Sequence, residues 1–112
     1  MKMEQALQDF RRRLLLATHL QPFLQNTPFV IKLEVKEKKD YFLLTLADGT
    51  VHITKNEHRE DVDLVIQGDE QALLRIVNGR DRLQRLQKRN QITMQGKYSE
   101  VLKAETVFYL NQ

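Results

Sequence analysis

The sequence predicts an α+β domain, a five-stranded, largely antiparallel, twisted sheet with helices packed on one face. Three observations carry this expectation. Apolar residues recur at helical spacing near both ends of the chain. From Phe29 they alternate with polar residues at a period of two. Turn signals at Asp48-Gly49, Gly68-Asp69 and Asn78-Gly79 separate the segments. The implied order is helix, four strands, two helices, strand, helix.

Residues 3–18 place Met3, Ala6, Leu7, Phe10, Leu14 and Ala17 on one stripe, with Lys2, Gln8, Arg11 and Arg12 opposite. This helix is expected to end near Pro22, because proline disfavours helical geometry in the residue before it. Residues 20–28 form a connector whose Phe23 and Leu24 can plug the core edge. Phe29, Ile31, Leu33 and Val35 then alternate with Val30, Lys32, Glu34 and Lys36, giving one dry face and one wet face. After a turn at Lys38-Lys39-Asp40, the stretch Tyr41 to Leu46 is almost fully apolar and suits a central strand covered on both faces. Asp48-Gly49 marks a hairpin. Val51 and Ile53 alternate with His52 and Thr54 in a third strand. A polar loop at 55–60 leads to a fourth, where Val62, Leu64 and Ile66 alternate with Asp63, Val65 and Gln67.

Asp69 is suited to cap the next helix, since its carboxylate can accept a first-turn N–H. Ala72, Leu73, Ile76 and Val77 line that helix, and Gly79 stands just past its end. Residues 80–89 read as a second short, basic helix with Leu83 and Leu86 inside. Ile92 and Met94 alternate in a fifth strand ending at Gly96. Helical spacing returns over 98–110 with Val101, Leu102, Glu105, Phe108 and Tyr109, and Ser99 as its cap.

With 112 residues the chain is expected to be one domain, residues 1–112. Seventeen leucines supply a core. The absence of cysteine excludes disulfides, thiolate metal sites and a cysteine nucleophile. The longest apolar run, Leu14-Leu15-Leu16-Ala17, is too short to span a bilayer. The N-terminus does not read as a secretory signal, and a cytoplasmic location is expected. Charge is uneven. Residues 1–39 carry eight bases and four acids, residues 40–70 two bases and eight acids, and residues 71–112 eight bases and three acids. The acidic middle argues against a continuous positive groove and against a specific nucleic-acid partner.

No Gly-rich phosphate loop, Ser–His–Asp set or nucleophile elbow is present, so the chain is expected not to be an enzyme. His19, His52 and His58 do not match a helical ligand pair, and neither a metal nor another cofactor is expected. His52 should point outward on its strand. Asp61 and Asp63 share a strand face and are expected to pair with Lys32 or Lys36. Arg11, Arg12 and Arg13 do not share one helix face.

Asp61-Val62-Asp63-Leu64-Val65-Ile66-Gln67-Gly68-Asp69, Ala72-Leu73-Leu74, Asn78-Gly79-Arg80, Ile92 through Gly96, and Leu102 follow one another in a familiar order. In that order the chain resembles the sterol carrier protein 2 (SCP2) family, and Leu44-Thr45-Leu46-Ala47-Asp48-Gly49 fits the family's central hairpin. With the first helix included, nearly the whole chain maps onto that fold. The resemblance implies a hydrophobic tunnel between sheet and helices, holding a fatty acid, acyl-CoA or sterol-like molecule. One segment departs from the pattern: residues 81–90 are highly charged and lack the proline and the alanine–aromatic pair usual there, where the family builds part of its tunnel wall. The C-terminal Leu110-Asn111-Gln112 differs from the peroxisomal Ser-Lys-Leu address.

On this reading the lipid-lining candidates are Phe10, Leu14, Phe42, Leu44, Leu73, Val77, Leu86, Met94, Leu102 and Phe108. Periodicity alone does not separate a tunnel wall from a solid core. Arg80, Arg82, Arg85, Lys88 and Arg89 are the candidates for docking an acidic head group or partner, and their plain alternative is a solvated helix face. The expected function is a non-enzymatic lipid-binding or lipid-transfer module. The alternative is the same fold without an open cavity, serving as a protein-interaction or homodimerisation module. The partners to expect are a lipid or acyl-CoA ligand, with an anionic membrane surface and a second copy of the chain as further candidates.

Overall fold

A computed structural model describes residues 2–17, 22 and 28–109. His19, the connector residues Phe23 and Leu24, and residues 110–112 lie outside the described residues. The order is α1 (Lys2–Leu16), β1 (Phe29–Val35), a 3-10 turn (Lys36–Lys38), β2 (Asp40–Ala47), β3 (Thr50–Lys55), β4 (Leu64–Gly68), α2 (Glu70–Val77), α3 (Leu83–Lys88), β5 (Ile92–Gln95) and α4 (Tyr98–Tyr109). The α+β expectation holds, with five strands in one sheet of order β3-β2-β1-β4-β5.

Three of the four strand pairs are antiparallel, and β1 with β4 is parallel. The parallel pair puts β1 in the middle of the sheet, and the apolar stretch 41–46 lies in β2, an inner strand flanked by β3 and β1 as expected. The cause lies in residues 56–63, which carry the chain from the β3 edge back across the sheet. Arg59 Nη1 donates to Thr45 Oγ1 at 3.1 Å. Asp63 N donates to Val30 O at 2.9 Å, and Val30 N donates to Asp63 Oδ2 at 2.8 Å. The wet face expected for β1 is therefore partly covered, and Val30 is buried. Asp63 binds backbone and Asp61 binds Arg59, so neither makes the expected pairing with Lys32 or Lys36.

Local chemistry sets the element ends. Asp48 and Gly49 both have positive φ (54° and 76°), as a two-residue hairpin turn requires, and Ala47 pairs with Thr50 across it. Asp69 caps α2 as expected, accepting the Ala72 N–H at 2.8 Å. The β1–β2 turn adds to that cap: Glu37 Oε1 accepts the Glu70 N–H at 2.8 Å, and Lys38 Nζ lies 2.8 Å from Glu70 Oε2. At the other end of α2, Arg80 N donates to Arg75 O and Gly79 N to Ile76 O, with Gly79 at φ 69°. This paired closure needs a left-handed residue. Asn90, at φ 58°, repeats it after α3. Ser99 lies inside α4 rather than capping it.

The helices lie on one face of the sheet. α1 packs on α2 and β3, and α2 also packs on α4, β1 and β4. Phe29, Ile31, Leu33, Val35, Phe42, Leu44 and Leu46 turn their side chains into the same cluster as the helices' apolar faces. Among the described residues, no helix is long and apolar enough to cross a membrane.

Candidate functional site

Two regions meet at the helical layer, an apolar interior and a basic outer surface. The interior forms because the stripe of α1 (Met3, Leu7, Phe10, Leu14) and those of α2, α3 and α4 all turn toward the sheet. Phe10 and Phe108 join α1 to α4, their ring centroids 5.0 Å apart and tilted by 35°. Apart from Asp81, the described side chains that are buried are all hydrophobic.

Eight of the ten apolar candidates sit in this single cluster: Phe10, Leu14, Phe42, Leu44, Leu73, Val77, Leu86 and Phe108. Phe10, Leu14, Leu44, Leu73, Val77 and Leu86 are 0% exposed, so no gap that admits a water molecule touches them. Sheet and helices are in direct contact there. Met94 is partly buried at the cluster's edge. Leu102 stands apart. α4 buries Val101, Ala104, Val107 and Phe108, which turns Leu102 outward at 42% exposure. One position along a helix is a rotation of about 100°, and that step separates Val101 from Leu102.

The basic surface follows from α3 and its flanks. Leu83 and Leu86 are buried, so Arg82, Arg85, Lys88 and Arg89 project outward, and Arg80 is exposed beside them. The sequence-predicted docking residues thus come together on one side. Beneath them lies a side chain that sequence reasoning did not single out. Asp81 is only 6% exposed, with Arg75 Nε 3.5 Å from Oδ2 and Arg85 Nη1 3.6 Å from Oδ1. Asp81 Oδ1 has no hydrogen-bond partner among the described residues. The carboxylate thus holds the start of α3 to the end of α2 through two guanidinium groups.

Three adjoining clefts run along this side. Arg82, Leu102, Glu105, Thr106 and Tyr109 line one of about 210 Å³. Arg82, Gln84, Arg85, Lys88, Arg89 and Glu105 line a second of about 390 Å³. Arg13, Asn78, Gly79, Arg80 and Tyr109 line a third of about 460 Å³. Arg82 and Glu105 belong to both of the first two, and Tyr109 joins the first to the third. Arg82 lies over the Tyr109 ring, 4.7 Å from its centroid. Gln84 Nε2 donates to Glu105 Oε2 at 3.0 Å, which fixes the one carboxylate among these lining residues. Arg13 is drawn in by donating to Val77 O at 3.0 Å. That agrees with its lying on a different side of α1 from Arg11 and Arg12. Its destination depends on the packing of α1 on α2 and carries no local signal.

Elsewhere, no group of three or more His, Asp or Glu side chains among the described residues is placed to hold a metal ion. His52 is exposed on its strand as expected, and His58 is 82% exposed at the 56–63 loop. Asp61 accepts from Arg59 Nε at 2.6 Å and from Nη2 at 3.0 Å. That hydrogen bonding holds the Asp61 carboxyl below the ordinary carboxylate range. These groups lie on the loop and the outer face of the sheet, away from the helical layer.

The model of the SCP-2 sterol transfer family matches residues 9–109. No curated protein sequence matches the chain. Solved structures do. A UbiJ-SCP2 ubiquinone synthesis protein aligns with a TM-score of 0.76 at 20% identity, covering 94% of this chain and 90% of that one. Sterol carrier protein domain 2 of Helicoverpa armigera gives 0.74 at 12% identity, covering 99% and 88%. Sterol carrier protein-2 like-3 of Aedes aegypti gives 0.73 at 12% identity, covering 96% and 97%. At such identities the likeness to these structures is one of fold.

Proposed function

Since the chain belongs to the SCP-2 sterol transfer family, whose model matches residues 9–109, we propose that it is a non-catalytic lipid-binding or lipid-transfer module. The ligand is a fatty acid, acyl-CoA or sterol-like molecule taken up between sheet and helices, and residues 1–112 act as one such domain. The observation that supports this most is the wholly apolar junction of the two layers, where four helices present hydrophobic faces to one sheet face. An alkyl chain that leaves water for such an interior gains about 0.8 kcal/mol per methylene. Phe10, Leu14, Phe42, Leu44, Leu73, Val77, Leu86 and Phe108 would surround it, with Met94 at the edge and Leu102 outside. The acidic end would be met by Arg80, Arg82, Arg85, Lys88 and Arg89. Because the junction is closed, uptake has to displace helices from the sheet, and α3 is the shortest of them at six residues.

The closure itself supports a second reading, in which the fold keeps a solid core and works as an interaction or homodimerisation module. The charged 81–90 segment, which departs from the family pattern, points the same way. Native mass spectrometry of the purified protein together with displacement of a fluorescent fatty acid separates the two. The carrier reading predicts co-purified lipid and saturable, displaceable uptake at micromolar probe. A protein that carries no lipid, takes up no probe and runs as a dimer would contradict it and support the second reading.

A further inference from the structure

The α3–α4 side joins two features that are usually kept apart on a protein surface. Arg80, Arg82, Arg85, Lys88 and Arg89 supply positive charge. Among the described residues, Arg80, Lys88 and Arg89 have no carboxylate within ion-pair distance, so that charge is not neutralised locally. Beside them, α4 exposes two large side chains one helical turn apart, Tyr98 at 67% and Leu102 at 42%. Leu102 lines a cleft together with Arg82, so the apolar and basic features are contiguous.

We infer that this side of the molecule docks on the surface of a bilayer containing acidic phospholipids. The arginines and Lys88 would contact lipid phosphates, and Leu102 and Tyr98 would enter the head-group region. A basic surface bordered by exposed aliphatic and aromatic side chains matches the two components of interfacial binding, electrostatic attraction and apolar burial. The choice of a bilayer over another polyanion rests on the lipid-module reading above. The docked face is built from α3 and α4, whose inner sides carry Leu86 and Phe108. The bilayer would therefore touch the helices that must part from the sheet for a lipid to pass.

Co-sedimentation tests this directly, using vesicles of equal parts phosphatidylcholine and phosphatidylglycerol against phosphatidylcholine alone, at physiological salt. The protein is expected to pellet with the acidic vesicles only. Each basic side chain near an anionic surface strengthens partitioning about fivefold, so Lys88→Ala with Arg89→Ala should weaken it about twenty-five-fold. Leu102→Ser should weaken it separately, with the thermal unfolding temperature of both variants unchanged; if the double variant failed to fold, Leu102→Ser alone would decide. No pelleting with acidic vesicles, equal pelleting with neutral ones, variants that pellet like the parent, or tighter binding to duplex DNA at the same salt would overturn the inference. Fatty-acid uptake by the parent protein is scored independently. Uptake without pelleting removes the docking surface and leaves the carrier reading, and pelleting without uptake does the reverse.

Discussion

Arg59 ties down a loop that composition describes only as polar. Its guanidinium reaches Asp61 through two nitrogens and Thr45 through a third, which fastens residues 56–63 to the outer face of β2. The hydrogen bonds to Asp61 lower its pKa relative to an unfolded carboxylate. The sign follows from linkage. A depressed folded-state value contributes stability above the ordinary carboxylate range, and that contribution is lost as pH falls through the depressed value. In Arg59→Ala, Asp61 is expected to titrate at a higher pH than in the parent, followed by its side-chain carbon resonance. An unchanged titration would contradict the pairing. Asp61 is exposed and Arg59 partly exposed, so the consequence for stability at neutral pH is small. The same residue shows where sequence reading stops. Asp61 and Asp63 were legible as neighbours on an extended segment, yet their partners were not, because Arg59 and the Val30 backbone are brought to them by the path of the loop.

Most of the individual elements were legible. The stripe of α1, the Asp69 cap, the Asp48-Gly49 hairpin and the end of α2 at Gly79 each rest on interactions within a few residues. Gly79 is the clearest case. At φ 69° it lets its own N–H and that of Arg80 close the last turn of α2. Gly79→Ala is expected to cost about 1 kcal/mol, the usual penalty for a Cβ in left-handed geometry, read as a lower urea midpoint at unchanged slope. A neutral effect would contradict this closure. What was not legible is the sheet's order and the direction Leu102 faces. The parallel pairing of β1 with β4 depends on how residues 56–63 cross the sheet, and no period-two pattern encodes that. Leu102 fits a helical stripe by spacing, but the sheet and α2 select Val101, Ala104 and Phe108 instead.

At the scale of the whole molecule, the chain is one apolar junction under a partly basic helical layer. The ten apolar candidates and the basic cluster could both be named from the sequence. Their arrangement could not. Asp81 illustrates the gap: it is buried because Arg75, from α2, and Arg85, from α3, converge on it after the two helices have packed. The closed junction is likewise a property of packing, since the same leucine and phenylalanine spacing serves a tunnel or a solid core. The central claim is that this junction opens to accept a lipid. Methyl NMR of the protein titrated with palmitate probes it most directly. The account predicts saturable shifts at the interior methyls of Leu14, Leu44, Leu73, Val77 and Leu86, which are sealed from solvent in the structure. Interior methyls that stay still while only surface signals respond would contradict it.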